Sequence, residues 1–529
     1  MTVDAAREEL RRWHQARRHA VPRWMIAQAT ERRLAGDWRG ACAVAGVDIA
    51  FDTGFDTALD PADGPSELAE DMRHLVPDLL RWHVPRGTHS AGTMATRLHI
   101  TLARYRSGQE LHVTTPSLSE APQRLTLRLG DPYDDDSAGE HADWSAARHL
   151  WDARRTAELR ERGGSGGDAT ALYLAGRIEE AFTAAGLKLE LVPGRSRQDG
   201  HVEMLARMPL DVARLGAEVA RLTALGVKEG FCVECPEWPY TILLEPDSAG
   251  LTVRVVGERA DSPHIELTEV YWRRLPDLDL LRAGLLTPDE LHPLVRAALF
   301  PDLPPVASGP RGPKPPVPVR VRCGGGWHEV VSGGGALQLP HDEDEQRRER
   351  AMRALGGAVA GCFAVQQSWT TGLGRLPRKL RFQRRALFTH AQHGDTEAVL
   401  RLLDAGVDPH VRDGRQRTLL HVLHLVDWER LLPRLLAAGL DVNAEDYRER
   451  TPLHHAVAAY GTPALVDALR AAGARIDVTD WEGWSLADLI RRRRRRDLAA
   501  LRAEIDRDHP GIGLDYESYD DEDEEDDEA

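Results

Sequence analysis

Cysteine is scarce in this sequence, with five residues in 529. An odd handful spread over that length makes no disulfide framework. Lysine is scarcer still: Lys188, Lys228, Lys314 and Lys379 are the whole complement, and every other basic side chain except histidine is arginine. That bias fits G+C-rich coding and carries little functional signal. Long apolar runs are missing as well. The longest, 356–365, is about half of the roughly 18 residues that a membrane span needs. The opening stretch MTVDAAREELRRWH lacks the apolar core of a signal peptide, so a soluble chain in a reducing, cytoplasmic setting is expected.

Catalytic signatures are absent too. There is no H-E-x-x-H and no G-x-S-x-G, and the glycine run Gly163–Gly167 is not followed by Gly-Lys-Ser/Thr as a phosphate loop requires. The acidic stretch Asp131–Glu140 fails as a calcium loop. Counted from Asp134, the fifth ligand position is Ala138 and the twelfth is Ser145. Cys232-Val-Glu-Cys235 is a C-x-x-C, which can be half a zinc site or a redox dithiol. No second C-x-x-C exists, and Pro236 and Pro239 oppose the helix that a thioredoxin motif needs, so a loop is expected there.

What is present is ordinary globular material, 42% hydrophobic and 29% charged, long enough for three to four domains. The net charge is −16, but eleven of the last fifteen residues are acidic, and without those eleven it is −5. A body so weakly charged gives no electrostatic reason to bind nucleic acid or an anionic membrane.

Along the chain, Val3 to Gly36 reads as a helical hairpin interrupted at Pro22, and Glu67 to His83 as another helix. Residues 1–88 thus form a helical subdomain. Alternating apolar residues at Leu98–Leu102, Leu111–Val113 and Leu125–Leu129 predict a three-strand meander. A long helix is expected through Trp144, Leu150, Trp151 and Leu159, then helix at 169–185, strand at 187–192, a helix through Val212 and Leu222, strands at 241–245 and 251–257, and helices over 278–300. Strands and helices come in groups, so 89–300 is an α+β region. Eight of the eighteen residues 301–318 are proline, the composition of a linker. Beyond it, 319–382 reads as an adaptor made of a hairpin turning at Gly324–Gly326 and a charged helix over 342–355. Trp-His recurs at 13–14, 82–83 and 327–328 without an evident mechanism.

The strongest signal is a repeat. Thr418-Leu-Leu-His421 returns as Thr451-Pro-Leu-His454, an offset of 33 read directly from the numbering, and each block closes on a leucine-rich stretch followed by glycine: Gly406, Gly439 and Gly473. This resembles the ankyrin-repeat family, whose unit is a β-turn and two antiparallel helices with a T-P-L-H signature. About four units are read over 383–508, the first degenerate and the last a cap. The fold class is therefore multi-domain: an α+β N-terminal region followed by an all-α ankyrin-repeat solenoid, with a disordered acidic tail at 509–529.

The resemblance implies that Thr418, His421, Thr451 and His454 fix the turns through backbone hydrogen bonds rather than hold a metal. His421 with His424 and His390 with His393 have a spacing that could carry zinc, but no third ligand stands at a suggestive distance. It also implies a partner-binding concave face, mapped to Gln392, His393, Arg415, Arg417, Leu425, Val426, Tyr447, Arg448, Arg450, Trp481 and Trp484. The turn glycine present as Gly483 is replaced by Gln416 and Glu449, which puts the finger geometry in question. The run Arg491–Arg496 is read as a solvated cap, and the acidic tail as a segment that could fold back onto it. The expected function is binding of another protein, with no membrane or nucleic-acid partner. No catalytic residue, metal or cofactor is assigned. The alternative is an enzyme in the N-terminal region whose target the repeats select, recognisable by a deep polar pocket.

Overall fold

A computed structural model describes residues 3–51, 67–88, 91–130, 139–163, 167–192, 199–226, 230–234, 240–247, 250–257, 264–356 and 359–514. Residues 515–529 of the acidic tail and Cys235 lie outside them. Two compact units are present, one of residues 1–119 and 124–311 and one of 120–123 and 312–529.

In the first unit Pro22 separates helices Val3–His19 and Arg23–Leu34, as its fixed φ and missing N–H require. The expected helix over 67–83 is two, Glu67–His74 and Pro77–His83, because Pro77 restarts it at its first position. The meander is there: β2 (Leu98–Arg104), β3 (Glu110–Thr114) and β4 (Leu125–Gly130) pair antiparallel, after the short β1 (Val47–Ile49) and before β5 (Glu140–Asp143). No sequence pattern points to β1 and β5, which add parallel strands at the two edges to give the order β1-β4-β3-β2-β5.

The long helix expected through Trp144 and Trp151 is a correction. That stretch holds two single 3-10 turns and the helix Leu159–Gly163. The buried Asp152 carboxylate accepts from the Arg154 backbone N–H and pairs with Arg148 and Arg154, which binds the chain into turns. Trp144 and Trp151 are fully buried there, so aromatic spacing misled the periodicity.

A second five-stranded sheet follows, β10-β7-β8-β9-β6, built from β6 (Lys188–Leu191), β7 (Phe231–Glu234), β8 (Tyr240–Asp247), β9 (Gly250–Gly257) and β10 (Ile265–Glu266). Cys232 lies on β7, facing Leu243, rather than in a loop. One contiguous apolar core runs through this unit from Trp13 to Ala298.

The second unit opens with an antiparallel sheet of β11 (Val319–Cys323), β12 (Gly326–Gly333) and β13 (Ala336–Gln338), then helices Glu343–Ala354 and Gly361–Thr371. Four helix pairs follow: Arg378–Gln392 with Thr396–Asp404, the 3-10 segment Leu419–Leu425 with Trp428–Ala437, Pro452–Ala458 with Pro463–Ala471, and Leu486–Arg492 with Ala499–Asp508. Their inward leucines, among them Leu420, Leu435, Leu453, Leu469 and Leu486, join one core with Val321, Val330 and Trp369 of the preceding elements. Gly406, Gly439 and Gly473 end the second helices in left-handed backbone. Gly406 is doubly constrained, since a Cβ there would lie 2.5 Å from the Gly334 nitrogen in the β12–β13 turn.

Candidate functional site

The last three of the four helix pairs each begin with a box that closes a turn. Thr418 donates its backbone N–H to His421 Nδ1 at 3.0 Å, which leaves the proton on Nε2, and this nitrogen donates to the Arg450 carbonyl of the next repeat at 3.0 Å. Thr451 and His454 form the same box, with N–H to Nδ1 at 3.2 Å. In the last pair Ser485 and Asp488 take these places, the Ser485 N–H donating to the carboxylate at 2.9 Å. Burial, followed by the neighbouring His455, pulls His421 down to about 3. Burial also lowers His454 to about 4. Both rings are neutral at physiological pH, as the box requires.

Between helix pairs the fingers are set by a recurring aspartate that the sequence analysis did not single out. The Asp413, Asp446 and Asp480 carboxylates accept from backbone N–H groups two and four residues on. Successive fingers are linked through the backbone, Tyr447 N–H to the Arg415 carbonyl and Trp481 N–H to the Arg448 carbonyl, each at 3.0 Å. The signal was in the sequence, an aspartate four residues before each of Arg417, Arg450 and Trp484, but it reads as ordinary turn composition until the turns are seen.

The residues expected on the binding face divide into two groups. Tyr447 and Trp481 are 54% and 58% exposed, with the Arg448 guanidinium 5.4 Å from the first ring centroid and 5.9 Å from the second. Arg415 is exposed and ion-paired with Glu120, in the short segment 120–123 that belongs to this unit. Trp484 is half-buried beneath Arg492, and Gln392, Leu425 and Val426 are half-buried as well. The others serve the scaffold: His393 is buried, Arg417 pairs with Asp413, and Arg450 with Asp480. Within the arginine run, Arg495 is buried and donates to the Val457 and Gly461 carbonyls, so that position is structural rather than solvated. The fold-back of the acidic tail concerns residues outside the described ones.

In the first unit a cavity of about 60 Å³ is lined by Arg17, His83, His149, Arg162 and Arg273 among others. Substrate pockets run to roughly 300–1,000 Å³, so this one has room for a few waters. Its lining arginines are ion-paired, Arg17 with Asp277, Arg162 with Glu218, and Arg273 with Glu9 and Glu269. Burial and the nearby Arg17 and Arg162 hold His83 and His149 well below the usual histidine range.

One further cluster was not foreseen. Cys323, His328, His341 and Cys362 turn their ligating atoms toward one another, all within 4.8 Å. Cys323 Sγ lies 3.7 Å from His341 Nε2, Cys362 Sγ 3.6 Å from His328 Nδ1, and His328 Nδ1 3.2 Å from His341 Nε2. Cys323 and His328 share the inward face of the β11–β12 hairpin with Val321, whose partner in the register is His328. The order Cys-His-His-Cys, with no C-x-x-C and long gaps between ligands, is what hid it from motif reading.

No helix among the described residues is long and apolar enough to cross a membrane. No curated protein matches the chain. A family model does match its C-terminal part: residues 387–480 match the ankyrin repeats in three copies. Those residues are therefore ankyrin repeats, the element whose boxes and fingers are described above.

Proposed function

We propose that this chain is a protein-binding protein, that its repeats stack as a solenoid, and that their finger tips grip the partner with Tyr447, Arg448 and Trp481 as the anchor. The observation that carries the reading is the aromatic–arginine–aromatic arrangement on adjacent fingers, with both rings more than half exposed. Tyrosine, tryptophan and arginine dominate binding energetics when a rigid support holds them ready. The backbone link between Trp481 and Arg448 is such a support. Arg415, Gln392, Leu425, Val426 and Trp484 flank the anchor and complete the surface. The α+β unit acts as an effector or second docking module, and the reduced thiols the sequence leads one to expect fit a cytoplasmic setting.

The test is partner capture from the native cell with the full chain and with its Tyr447→Ala/Trp481→Ala variant. Both side chains are exposed, so the variant should melt as the wild type does. Proteins held by the wild type should be depleted at least about tenfold, since truncating two anchors costs about 2 kcal/mol or more. Equal recovery of the same proteins by a folded variant would refute the assignment.

A further inference from the structure

We propose that Cys323, His328, His341 and Cys362 form a closed tetrahedral site for a structural zinc ion, which fastens the β11–β12 hairpin to the helix Gly361–Thr371. Zinc binds thiolate sulphur at about 2.3 Å and imidazole nitrogen at about 2.0–2.1 Å. A tetrahedron with those radii has edges of about 3.6 Å from sulphur to nitrogen and about 3.3 Å between nitrogens. The corresponding separations here are 3.7, 3.6 and 3.2 Å. The other three separations lie within 4.8 Å, against about 3.8 Å for the longest edge of such a tetrahedron, so the ion would draw its ligands inward by no more than about 1 Å. Two sulphurs and two imidazoles in this shape select zinc, because calcium and magnesium take oxygen ligands and copper(II) and nickel(II) favour square-planar sets. All four positions come from the chain, which is the pattern of a structural centre rather than a catalytic one.

The surroundings are arranged for the same end. Glu345 lies 3.0 Å from His341 Nδ1, so its carboxylate accepts the proton there and leaves the Nε2 lone pair facing the other three ligands. Cys362 is fully buried, in the first turn of its helix. Before it stands Gly361 at φ +61°, where a Cβ would lie 2.5 Å from Cys323 Sγ. Any side chain at 361 would force the two sulphurs apart. Phe363 packs its ring against His341, with centroids 4.7 Å apart, and covers one side of the cluster. The hairpin and this helix share their core with Leu380, Leu387 and Val399 of the first helix pair, so the ion would brace the leading edge of the repeats.

Metal analysis of the full chain, purified without chelator, should find about one zinc per chain. Cys323→Ser and Cys362→Ser should each lower that by tenfold or more, while Cys232→Ser, on β7 of the other unit, should leave it unchanged. Ligand variants can misfold, so a second measurement uses the wild type. Exchange of its zinc for cobalt(II) should give the strong visible bands of a tetrahedral ion and a near-ultraviolet thiolate charge-transfer band. Glu345→Gln should weaken cobalt binding by about 10-fold or more. The proposal is overturned if the wild type carries no zinc and takes up neither zinc nor cobalt. It is equally overturned if bound metal survives both serine variants, or if Cys323 and Cys362 are joined as a disulfide in the freshly purified chain.

Discussion

Three equivalent finger positions carry Gln416, Glu449 and Gly483, and all three are left-handed, with φ of +63°, +58° and +85°. The missing glycines made the finger geometry questionable from sequence, yet the fingers form. The aspartate at each turn explains how: its carboxylate gathers two backbone N–H groups, and this holds the loop against the preference of an L side chain. Holding a non-glycine residue in that region costs roughly 1–2 kcal/mol. Glu449 is exposed, so its side chain can be removed without opening a cavity. Glu449→Gly should therefore stabilise the repeats by about 0.5–1 kcal/mol, the strain relieved less the extra freedom given to the unfolded chain. A urea titration followed through the repeats would show it as a higher midpoint at unchanged slope, and a lower midpoint would mean that the glutamate contributes a contact worth more than its strain.

Among the elements, the repeats were the most legible, because a helix pair that cannot bury both faces alone has to repeat its leucines, glycines and boxes in phase. The meander was legible through its period of two. The break at Pro77 and the turns around Asp152 were not, since they rest on a single proline and on a buried carboxylate that gathers Arg148 and Arg154 without leaving any periodic pattern. The metal-ligating cluster was hidden for a related reason: its four ligands sit on a strand end, a strand, a loop and a helix start, and only the packing of the hairpin on the helix gathers them.

The boxes also set how the repeat elements respond to acid. His421 and His454 are neutral and buried, with folded values of about 3 and about 4 against 6.5 when exposed. The unfolded chain thus binds protons that the folded one refuses. Stability is fully present above about pH 6.5 and is lost as pH falls toward 4 and 3, by about 1.4 kcal/mol per pH unit for each histidine. Asp446 adds to the loss lower down. Burial opposes its ionisation, but the hydrogen bonds from His455 and from the Arg448 and Arg450 N–H groups prevail and hold it at about 2, so its contribution fades below pH 3.8. Denaturant midpoints of the repeat transition measured between pH 7.5 and 4.5 should stay level down to about pH 6.5 and fall below it, and His454→Gln should make the fall shallower. A midpoint that stays level across that range would contradict neutral, buried boxes.

For the whole molecule, what matters is that the two units have separate apolar cores, one running from Trp13 to Ala298 and the other from Val319 to Ile505. The first is closed by a polar clasp. Arg17 forms a two-bond pair with Asp277 at 3.0 and 2.8 Å, Trp82 Nε1 donates to the same carboxylate at 3.1 Å, and the guanidinium lies 4.8 Å from the Trp13 ring centroid and 4.5 Å from that of Trp82. Both charged groups are all but inaccessible to water, so the clasp joins the first helix to a segment 260 residues later in a medium where an unmatched charge is expensive. Asp277→Asn keeps the shape, strands the arginine, and should destabilise the first unit by about 3–5 kcal/mol. Because the repeats draw on the other core, calorimetry should resolve two transitions of which only one moves, while Glu449→Gly moves the other. If Asp277→Asn instead lowered a single transition as a whole, the two units would unfold together, and stability assigned to either one would belong to both.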